Sequence, residues 1–594
     1  MPFRWIAVQS LLLAVLFTWP ALLHPAADIL GSPKGDAAKH VWNLWWMRNE
    51  LWSGDWGLHT GSINFPNGMD LYPIEIANGL LSSWWPISPV AASNLLAVLH
   101  VALTGVCTAW LSWRVSQSRL GAHVAGALAQ GSAFTAFTLH AGVGELRQAW
   151  WIPLGLAAAV AARDSLRLRD FVCVGLTVAA ATLACFYHGF FLATAVAVYA
   201  LCTPARSRAL WLGWAAAAGA ALLIAGPVVA LFATSYGKEG PEQAMGFVEW
   251  LRSALPTDSF QVTSLQPHEL ILPDRSLATD FGRPFEAYLG GRYVGVLALA
   301  LAAVGVASAP RRVWPWAVVV VTGMALALGN TLWVAGHLVQ PTVILPLAVL
   351  NKVLAYVAEP LNFPVRYLAI SVTALAVLGG AAARWRPALL LVPLVLMDVT
   401  MNDAVPFPRS TFPLEGVADI EAPPGAVAEL TWATGQDVVL QPHDPVSLFD
   451  ASHRVRSLAA QILLDRPFQT VAIERVDHWA FDGIVWTAAT PLARSLADTP
   501  MRAEDLEASV FLMRERGFGS VLITRACGSP RDLATEERLT AVLGPSLHGD
   551  CGDLWVLPDR PPPAHIDDFR ARFEVDLASV RGPNLRKPVG SPPP

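Results

Sequence analysis

The most informative stretch of the sequence is Gly35-Asp36 and the residues after it, which read GDAAKHVWNLWWMRNE at positions 35–50. An acidic residue beside an apolar segment is costly unless it has a function or a neutralising partner. At about 100° per residue, roughly one third of a helix circumference collects a polar set. Its members are Asp36, Lys39, His40, Asn43 and Glu50. The pattern predicts an amphipathic helix at a membrane surface, with a polar face that begins at the Asp36 carboxylate.

The whole chain has the composition of a membrane protein. Of its 594 residues, 54% are hydrophobic and 15% are charged, whereas soluble chains average about 25% charged residues. The mean hydropathy is +0.44, and apolar runs recur through the first 400 residues. We therefore predict a polytopic α-helical membrane protein. The formal net charge of −5 gives no sign of nucleic-acid binding.

Apolar runs predict about eleven membrane-spanning helices, since about 20 apolar residues cross a bilayer. The predicted spans are 5–24, 92–113, 121–140, 147–162, 170–186, 189–203, 209–234, 288–308, 313–334, 365–383 and 387–400. The first run is interpreted as a retained helix and not as a cleaved signal peptide, because many spans follow it. A tight turn at Tyr187-His188-Gly189 is predicted to separate the two spans in 170–203.

Arginines in short loops alternate with the predicted spans and predict the topology. They are Arg4, Arg114, Arg119, Arg163, Arg167, Arg169, Arg206, Arg208, Arg311, Arg312, Arg384 and Arg386. The positive-inside rule places them, and the N-terminus, in the cytoplasm. The loops 25–91, 235–287 and 335–364 and the C-terminal region then lie outside. The sequence thus predicts a multi-pass protein of the inner (plasma) membrane whose chemistry faces outward.

Hydropathy falls after Asp398, and this predicts a transmembrane domain over 1–400 and an extracytoplasmic α/β domain over 401–580. In the second domain, strands are predicted at 437–440 and 520–524, and helices at 503–516 and 531–543. Alternating strands and helices are typical of a small α/β domain. The tail, 581–594, ends in SPPP and is predicted to be disordered.

Two of the six cysteines, Cys527 and Cys551, lie in the C-terminal region. An extracytoplasmic domain is in an oxidising compartment, which favours a disulfide between them. The alternative is a pair of free buried thiols. The other cysteines lie in or beside predicted spans, where small apolar packing explains them.

Asp36 and Glu145 are the two acidic candidates for a catalytic site. Asp36 either acts as a catalytic residue or caps its helix by satisfying free backbone N–H groups. Glu145 lies in the short outer loop between two predicted spans. It is either a solvated charge paired with Arg147 or a second carboxylate that faces Asp36. In the second case it orients a substrate or binds a divalent metal ion, with water completing the shell.

Three basic or imidazole side chains are candidates for substrate binding. His40 lies on the polar face of the first predicted surface helix. His188 is either a turn or core histidine or a phosphate contact. Arg366 opens a span after Asn362-Phe363-Pro364; it either extends toward the interface or clamps a phosphate with two hydrogen bonds.

Several stretches make the chain similar to the GT-C superfamily of membrane glycosyltransferases. They are Gly35-Asp36 with WNLWW, GELRQAWWIPL at 144–154, YLGGRYVGVLALAL at 288–301, NFPVRYLAISVTALAVLGG at 362–380, RGFGSVLITR at 516–525 and DLWVLP at 553–558. The layout also resembles that superfamily, with an early acidic outer loop, many spans and a C-terminal extracytoplasmic domain. The resemblance covers most of the chain and consists of layout and short motifs.

The resemblance implies a transferase that uses a polyprenyl-phosphate sugar as donor. Asp36 would be the general base for an acceptor hydroxyl, and Arg366 or His188 would stabilise the departing phosphate. Attack opposite the phosphate implies inversion. Glu145 matches the second acidic position, but some members carry two acids there, so a Mg²⁺ or Mn²⁺ ion is only an optional cofactor. Membrane lipid is the expected environment, and a glycan, a lipid or a protein is the expected acceptor.

Two other classes of protein compete with the transferase. A transporter or flippase of lipid-linked sugars needs polar groups near the bilayer midplane and repeat symmetry, and neither is clear in the sequence. A non-catalytic scaffold for envelope assembly would use Asp36 only as a cap. The chain has no Gly-rich phosphate loop, no HExxH and no GxSxG in a strand–turn–helix setting, which disfavours ATP-driven, zinc-peptidase and serine-esterase chemistry.

Overall fold

The structure is a computed structural model. It describes residues 3–33, 35–53, 59–60, 62, 69–70, 75–203, 207–236, 264–272, 290–334, 337–339, 343–354, 363–385, 390–400, 407–414, 417, 419–431, 451–472, 490–496, 503–525, 527 and 530–570. The chain divides into two compact units. The first comprises 1–48 and 72–412, and the second comprises 49–71 and 413–594. Part of the first long loop therefore belongs to the second unit.

The first unit is helical. Its helices are α1 (Phe3–Leu23), α2 (Ala37–Ser53, which runs into the second unit), α3 (Ile76–Ser83), α4 (Pro89–Ser116), α5 (Arg119–Gln130), α6 (Ala133–His140), α7 (Trp151–Ser165), α8 (Leu168–Ala184), α9 (Phe186–Cys202), α10 (Arg208–Tyr236), α11 (Val296–Ser308), α12 (Pro310–Ala327), α13 (Pro346–Leu354), α14 (Leu368–Ala382) and α15 (Leu391–Thr400). The 3₁₀ turns among the described residues are Glu145–Gln148, Pro267–Leu270, Gly290–Arg292 and Pro364–Tyr367. Short strands are β1 (Asp28–Leu30), β4 (Trp333–Val334) and β5 (His337–Leu338); β4 and β5 pair antiparallel.

Local sequence signals set the ends of these helices. Helix α4 begins at Pro89, where Ser88 accepts a hydrogen bond from the backbone N–H of Ala91. Proline at the first helical position and serine at the cap are favoured there, because proline has no N–H to satisfy and the serine hydroxyl accepts one of the free N–H groups. The helix ends at Gln117, which takes a left-handed conformation with φ 54°.

Within the described residues, four helical segments are long and apolar enough to cross a membrane. They are Arg4–Leu23, Pro89–Ser116, Arg208–Ala230 and Pro364–Ala382. Two shorter apolar helices, α9 and α11, accompany them. The chain is thus a multi-pass membrane protein. The predicted number of about eleven spans is not confirmed, because several apolar runs form helices shorter than the roughly 20 residues a bilayer needs.

The predicted span 121–140 shows why the count differs. It forms two helices, α5 and α6, with a break at Gly131 and Ser132. The Ser132 hydroxyl accepts a hydrogen bond from the N–H of Thr135 and caps the second helix. A serine after a glycine in an apolar run is therefore a helix boundary here, which hydropathy alone does not detect.

The two-helix interpretation of 170–203 is confirmed, but the turn is in another place. Cys185 has extended backbone angles and separates α8 from α9. The predicted turn residues Tyr187, His188 and Gly189 lie inside α9. A glycine at 189 allows close packing, because a Cβ there would overlap the Thr182 side chain. The glycine signal reflected a helix contact and not a turn.

The second unit contains a five-stranded sheet in the order β10-β11-β9-β7-β8. Its strands are β7 (Ala426–Thr431), β8 (Phe468–Ala472), β9 (Phe518–Thr524), β10 (Ser546–Gly549) and β11 (Gly552–Val556). Strands β8, β7 and β9 are parallel, and β11 and β10 continue antiparallel. The short strands β2 (His59–Thr60) and β3 (Met69–Asp70) pair separately. Strand β6 (Thr411–Pro413) crosses the boundary between the units in the chain.

Helices complete the α/β character of the second unit. They are α16 (Ala451–Leu464), α17 (Thr490–Leu496), α18 (Ala503–Glu515) and α19 (Leu533–Leu543). The predicted strand at 520–524 and both predicted helices are thus present. Cys527 and Cys551 form the expected disulfide. The predicted strand at 437–440 and the tail 581–594 lie outside the described residues.

Candidate active site

Gly35-Asp36 is fixed against the segment that leads to Glu145. The backbone N–H of Asp36 donates to the carbonyl of Ala141 at 2.8 Å. A Cβ on Gly35 would overlap that same carbonyl. Gly142, with φ +70°, faces Ala37 across this contact and also leaves no room for a side chain. Two glycines therefore let the Asp36 segment and the segment before Glu145 lie backbone against backbone.

Asp36 is the residue before α2 and is half-buried. Its carbonyl accepts the N–H of His40 at 3.1 Å, which is the first bond of the helix. Its charge opposes ionisation of Glu145. The structure therefore brings the two predicted acids close enough for their charges to interact, although they are far apart in the sequence.

His40 lies one turn into α2 and is buried between two carboxylates. Its Nε2 is 2.8 Å from Oε2 of Glu145. Its Nδ1 contacts Oε1 of Glu75. Burial alone would lower the pKa of His40, but the charges of Glu145 and Glu75 outweigh it and raise the pKa to about 10. His40 is therefore held as an imidazolium.

Glu145 is on the 3₁₀ turn Glu145–Gln148 and is only 5% exposed. The alternative of a solvated loop charge paired with Arg147 is therefore wrong. Burial alone would raise the pKa of Glu145, but His40 and Arg366 lower it to about 2. Arg366 Nη1 is 3.9 Å from Oε1 of Glu145. The carboxylate is thus held ionised between two cations.

Arg366 is buried on the 3₁₀ turn Pro364–Tyr367. Its guanidinium lies over two rings, with 4.5 Å to the centroid of Tyr187 and 4.3 Å to that of Phe363. Stacking of this kind is typical of arginine because its planar group is weakly hydrated. Arg366 therefore does not extend to the interface, since aromatic rings and Glu145 position it inside the protein.

Arg147 supplies a second buried guanidinium. Its Nη2 donates to the carbonyl of Leu30 at 3.0 Å. Burial lowers the pKa of Arg147 to about 10, although Glu75 and Glu145 partly oppose that effect. Together with His40 and Arg366 it balances Asp36, Glu75 and Glu145 in charge. Loss of one member of such a group leaves an uncompensated buried charge.

His188 joins the same region through the backbone. Its Nε2 donates to the carbonyl of Leu146 at 3.2 Å, next to Glu145. Its Nδ1 has no hydrogen-bond partner among the described residues. In this tautomer Nδ1 is an acceptor, so it does not match a phosphate oxygen. The placement favours a role in holding the Glu145 turn.

Glu75 is the site residue that the sequence analysis missed. It precedes α3 and is 2% exposed. A Cβ on Gly144 would overlap its carboxylate, so glycine at 144 makes room for it. One signal was available: Glu75, Asn78, Gly79 and Ser82 follow the helical spacing of a polar or small face in an apolar segment.

His40, Glu75 and Glu145 could also hold a metal ion. One donor atom from each lies within 4.8 Å of the others. An imidazole with two carboxylates suits ions such as Mn²⁺ or Zn²⁺. Both ring nitrogens of His40 already meet carboxylates, so an ion would take the place of a His40 proton. The group therefore fits a divalent ion that competes with protons.

The fold is similar to that of solved membrane glycosyltransferases, which agrees with the resemblance predicted from the sequence. The fold is similar to that of a mutant form of the arabinofuranosyltransferase AftD from Mycobacteria, with a TM-score of 0.51 and 13% identity. This match covers 94% of the present chain and 42% of the other. The chain thus spans about two fifths of the length of that protein.

Two oligosaccharyltransferase structures from Archaeoglobus fulgidus are also similar. One is tethered to an acceptor peptide and has a TM-score of 0.49, with 11% identity over 91% of this chain and 71% of that chain. The other, AglB with an inhibitory peptide and a dolichol-phosphate, has a TM-score of 0.48, with 11% identity over 88% and 69%. No family model and no curated sequence matches the chain.

Proposed function

We propose that this protein is an inverting glycosyltransferase that moves a hexose or pentose from a polyprenyl-phosphate donor to an acceptor hydroxyl. The reaction takes place at the outer face of the plasma membrane. The observation that carries the proposal is the buried contact of Glu145 with His40 and Arg366 beside Asp36, in a GT-C fold. Perturbed titratable groups collected in one place are typical of functional sites.

Asp36 is the proposed general base. The acceptor oxygen attacks the anomeric carbon while its proton passes to the Asp36 carboxylate. The bond between that carbon and the phosphate oxygen breaks, and polyprenyl phosphate leaves with the electron pair. General-base assistance of this kind contributes about 10²–10⁴-fold to a rate. The half-buried position of Asp36 suits this task better than that of the enclosed Glu145.

Arg366 is the proposed contact for the departing phosphate. Its ring contacts and Glu145 fix the guanidinium before substrate arrives. A prepositioned cation stabilises the charge that develops on a leaving phosphate, because little reorganisation is needed during the reaction. His188 holds the Glu145 turn through Leu146, and His40 sets the orientation of the Glu145 carboxylate.

A divalent ion, Mg²⁺ or Mn²⁺, is an optional part of the proposal. Glu145 would be one ligand, and His40 and Glu75 supply the other donors within 4.8 Å. When bound, such an ion would add positive charge near the phosphate. Transfer measured with EDTA and after Mn²⁺ or Mg²⁺ is restored decides whether the ion is required.

The donor and the fold of the protein suit each other. A lipid-linked sugar is confined to the membrane boundary, and the predicted outer loops carry Asp36 and Glu145 to that level. The AftD structure, which shares the fold, is that of an arabinofuranosyltransferase. The acceptor is a glycan, a lipid or a protein hydroxyl.

Mass spectrometry of lipid-linked sugars and envelope glycans in a deletion strain tests this function. We expect one polyprenyl-phosphate sugar to accumulate and one glycan to lose a residue, and both changes to reverse on complementation with the wild-type gene. An unchanged glycan profile would favour the scaffold. Donor trapped on the cytoplasmic leaflet, with transfer intact in isolated everted membranes, would favour the flippase.

A further inference from the structure

A chain of hydrogen bonds leads from the site into the membrane-spanning helix α4. The indole Nε1 of Trp150 donates to Nδ1 of His100 at 3.1 Å. Nε2 of His100 lies 2.8 Å from Oδ1 of Asn78. The amide Nδ2 of Asn78 donates to Oε2 of Glu75 at 2.6 Å. The other oxygen of Glu75 meets Nδ1 of His40.

The direction of every bond in this hydrogen-bond chain follows from the Trp150 indole. An indole N–H can only donate, so Nδ1 of His100 must accept. His100 is then the neutral tautomer with its proton on Nε2, and it donates to the carbonyl oxygen of Asn78. The amide nitrogen of Asn78 is thereby turned toward Glu75. The hydrogen-bond chain therefore ends at one carboxylate oxygen of Glu75, and the other oxygen contacts His40.

Packing holds Glu75 in this place. It is buried, and so are Asn78 and His100. Gly144 closes over the carboxylate with no space for a side chain. Helix α3, which follows Glu75, also packs closely on α2, because a Cβ on Gly79 would overlap Met47. Glu75 therefore cannot turn toward solvent without separating two helices.

We propose that Glu75 is a positioning residue for the glycosyl transfer. It binds Nδ1–H of His40 so that Nε2 alone faces Glu145. The hydrogen-bond chain of Asn78, His100 and Trp150 holds Glu75 in place. The inference rests on the proposed function of the same site. Glu75 acts through His40 and does not touch the substrate. It corresponds in kind to the partner that fixes the ring orientation of a working histidine.

A double-mutant cycle tests this role in the full-length protein. The variants are Glu75→Gln, His40→Gln and the two combined, expressed in the deletion strain. We expect Glu75→Gln to lower the amount of glycan product about tenfold or more, as loss of such partners does elsewhere. In the His40→Gln background the same change is expected to have no further effect, because its target is gone. Asp170→Asn, at the start of α8, is the control for loss of an acid.

A second variant avoids the risk that Glu75→Gln fails to fold. Trp150→Phe keeps a large ring but removes the N–H that fixes the His100 tautomer. We expect it to lower product with His40 present and to have no effect in the His40→Gln background. Equal losses in both backgrounds, or no loss from Glu75→Gln, would overturn the proposal. Recovery of Glu75→Gln on adding Mn²⁺ or Mg²⁺ would also overturn it, because Glu75 would then be a metal ligand.

A separate measurement keeps this inference distinct from the proposed function. Thermal unfolding of the same variants, purified in detergent, reports the contact between Glu75 and His40 without any substrate. We expect the lowering of Tm in the double variant to be less than the sum of the two single effects. A product assay that fails for the wild type rejects the function, whereas additive Tm changes reject the positioning contact.

Discussion

Nε2 of His40 lies 2.8 Å from Oε2 of Glu145, and both side chains are almost completely removed from solvent. One comes from the first turn of α2 and the other from a 3₁₀ turn after α6. Glycines at 35 and 142 make this approach possible, because the backbones that carry the two side chains are in contact. The pair thus links α2 to the Glu145 turn.

Glu145→Gln is expected to destabilise the protein and to abolish transfer. The neutral amide removes the carboxylate that lies between His40 and Arg366 and leaves the buried site with excess positive charge, and breaking a buried pair costs about 3–5 kcal/mol. Thermal unfolding in detergent and product formation in the deletion strain measure the two effects. Glu515→Gln, which removes an exposed partner of Arg570, is the matched control and should change Tm little. A Tm equal to that of the control would contradict the buried pair.

Arg366→Lys should retain the fold but bind the donor less tightly. Lysine keeps a positive charge but loses the planar group that lies over Tyr187 and Phe363 and that can hold a phosphate with two hydrogen bonds. We expect a loss of about 1.5–3 kcal/mol, typical of a hydrogen bond to a charged group. The concentration of polyprenyl phosphate needed to raise Tm by half its maximal shift measures this binding. Arg312→Lys, at the start of α12, is the control, and equal midpoints for the two variants would contradict the assignment.

Gly35→Ala is expected to damage the site although it adds a single methyl group. The new Cβ would overlap the carbonyl of Ala141, so the Asp36 segment would have to move away from the Glu145 turn. A strained substitution in a tight backbone contact typically costs about 1–3 kcal/mol. We expect lower Tm and little product. Gly219→Ala, where a Cβ meets open space, should behave as the wild type; equal behaviour of Gly35→Ala would show that the contact is not needed.

The contribution of His40 to stability should depend on pH. Its pKa is raised in the folded protein from 6.5 to about 10, so its stabilising effect is complete below about pH 6.5 and is lost as pH rises through about 10. The pKa of Glu145 is lowered from 4.5 to about 2, so its contribution is present above about pH 4.5 and is lost as pH falls through about 2. Both contributions are complete only between about pH 4.5 and about pH 6.5.

Thermal unfolding of the wild type and His40→Gln across pH 5 to 10 checks the sign, since the imidazole charge is lost only at the alkaline end. The difference in Tm between them is expected to be largest near pH 5–6 and to shrink as pH rises toward 10. Gln has no titration, so it serves as the reference at each pH. A difference that grows with pH would mean that His40 is neutral in the folded protein.

The sequence singled out most of the side chains that the structure brings together but missed Glu75. Asp36 stands out as an acid between the first apolar run and a Trp-rich stretch, and Glu145 as an acid in a short break between two apolar runs. Their meeting could not be predicted, since it depends on glycines 35 and 142 allowing backbone contact. Apolar runs predicted the membrane class, and alternating strand and helix patterns predicted the α/β character of the second unit.

Other features depend on packing that a single sequence does not encode locally. Glu75 begins only a short polar pattern with helical spacing, and its contact with His40 depends on the packing of α3 on α2. His100 sits within the predicted span 92–113, where it reads as an isolated polar residue. Gly189 beside His188 predicts a turn, but in the structure it allows close contact between α9 and Thr182.

The most direct test of the central claim is Asp36→Asn in a strain that lacks the wild-type copy. Asparagine keeps the size and the helix-capping capacity of the side chain but cannot accept the proton from the acceptor hydroxyl. We predict normal expression and Tm, accumulation of the polyprenyl-phosphate sugar and a fall in glycan product of about 10²-fold or more. Wild-type levels of product from Asp36→Asn would contradict the account, because the site would then work without its base.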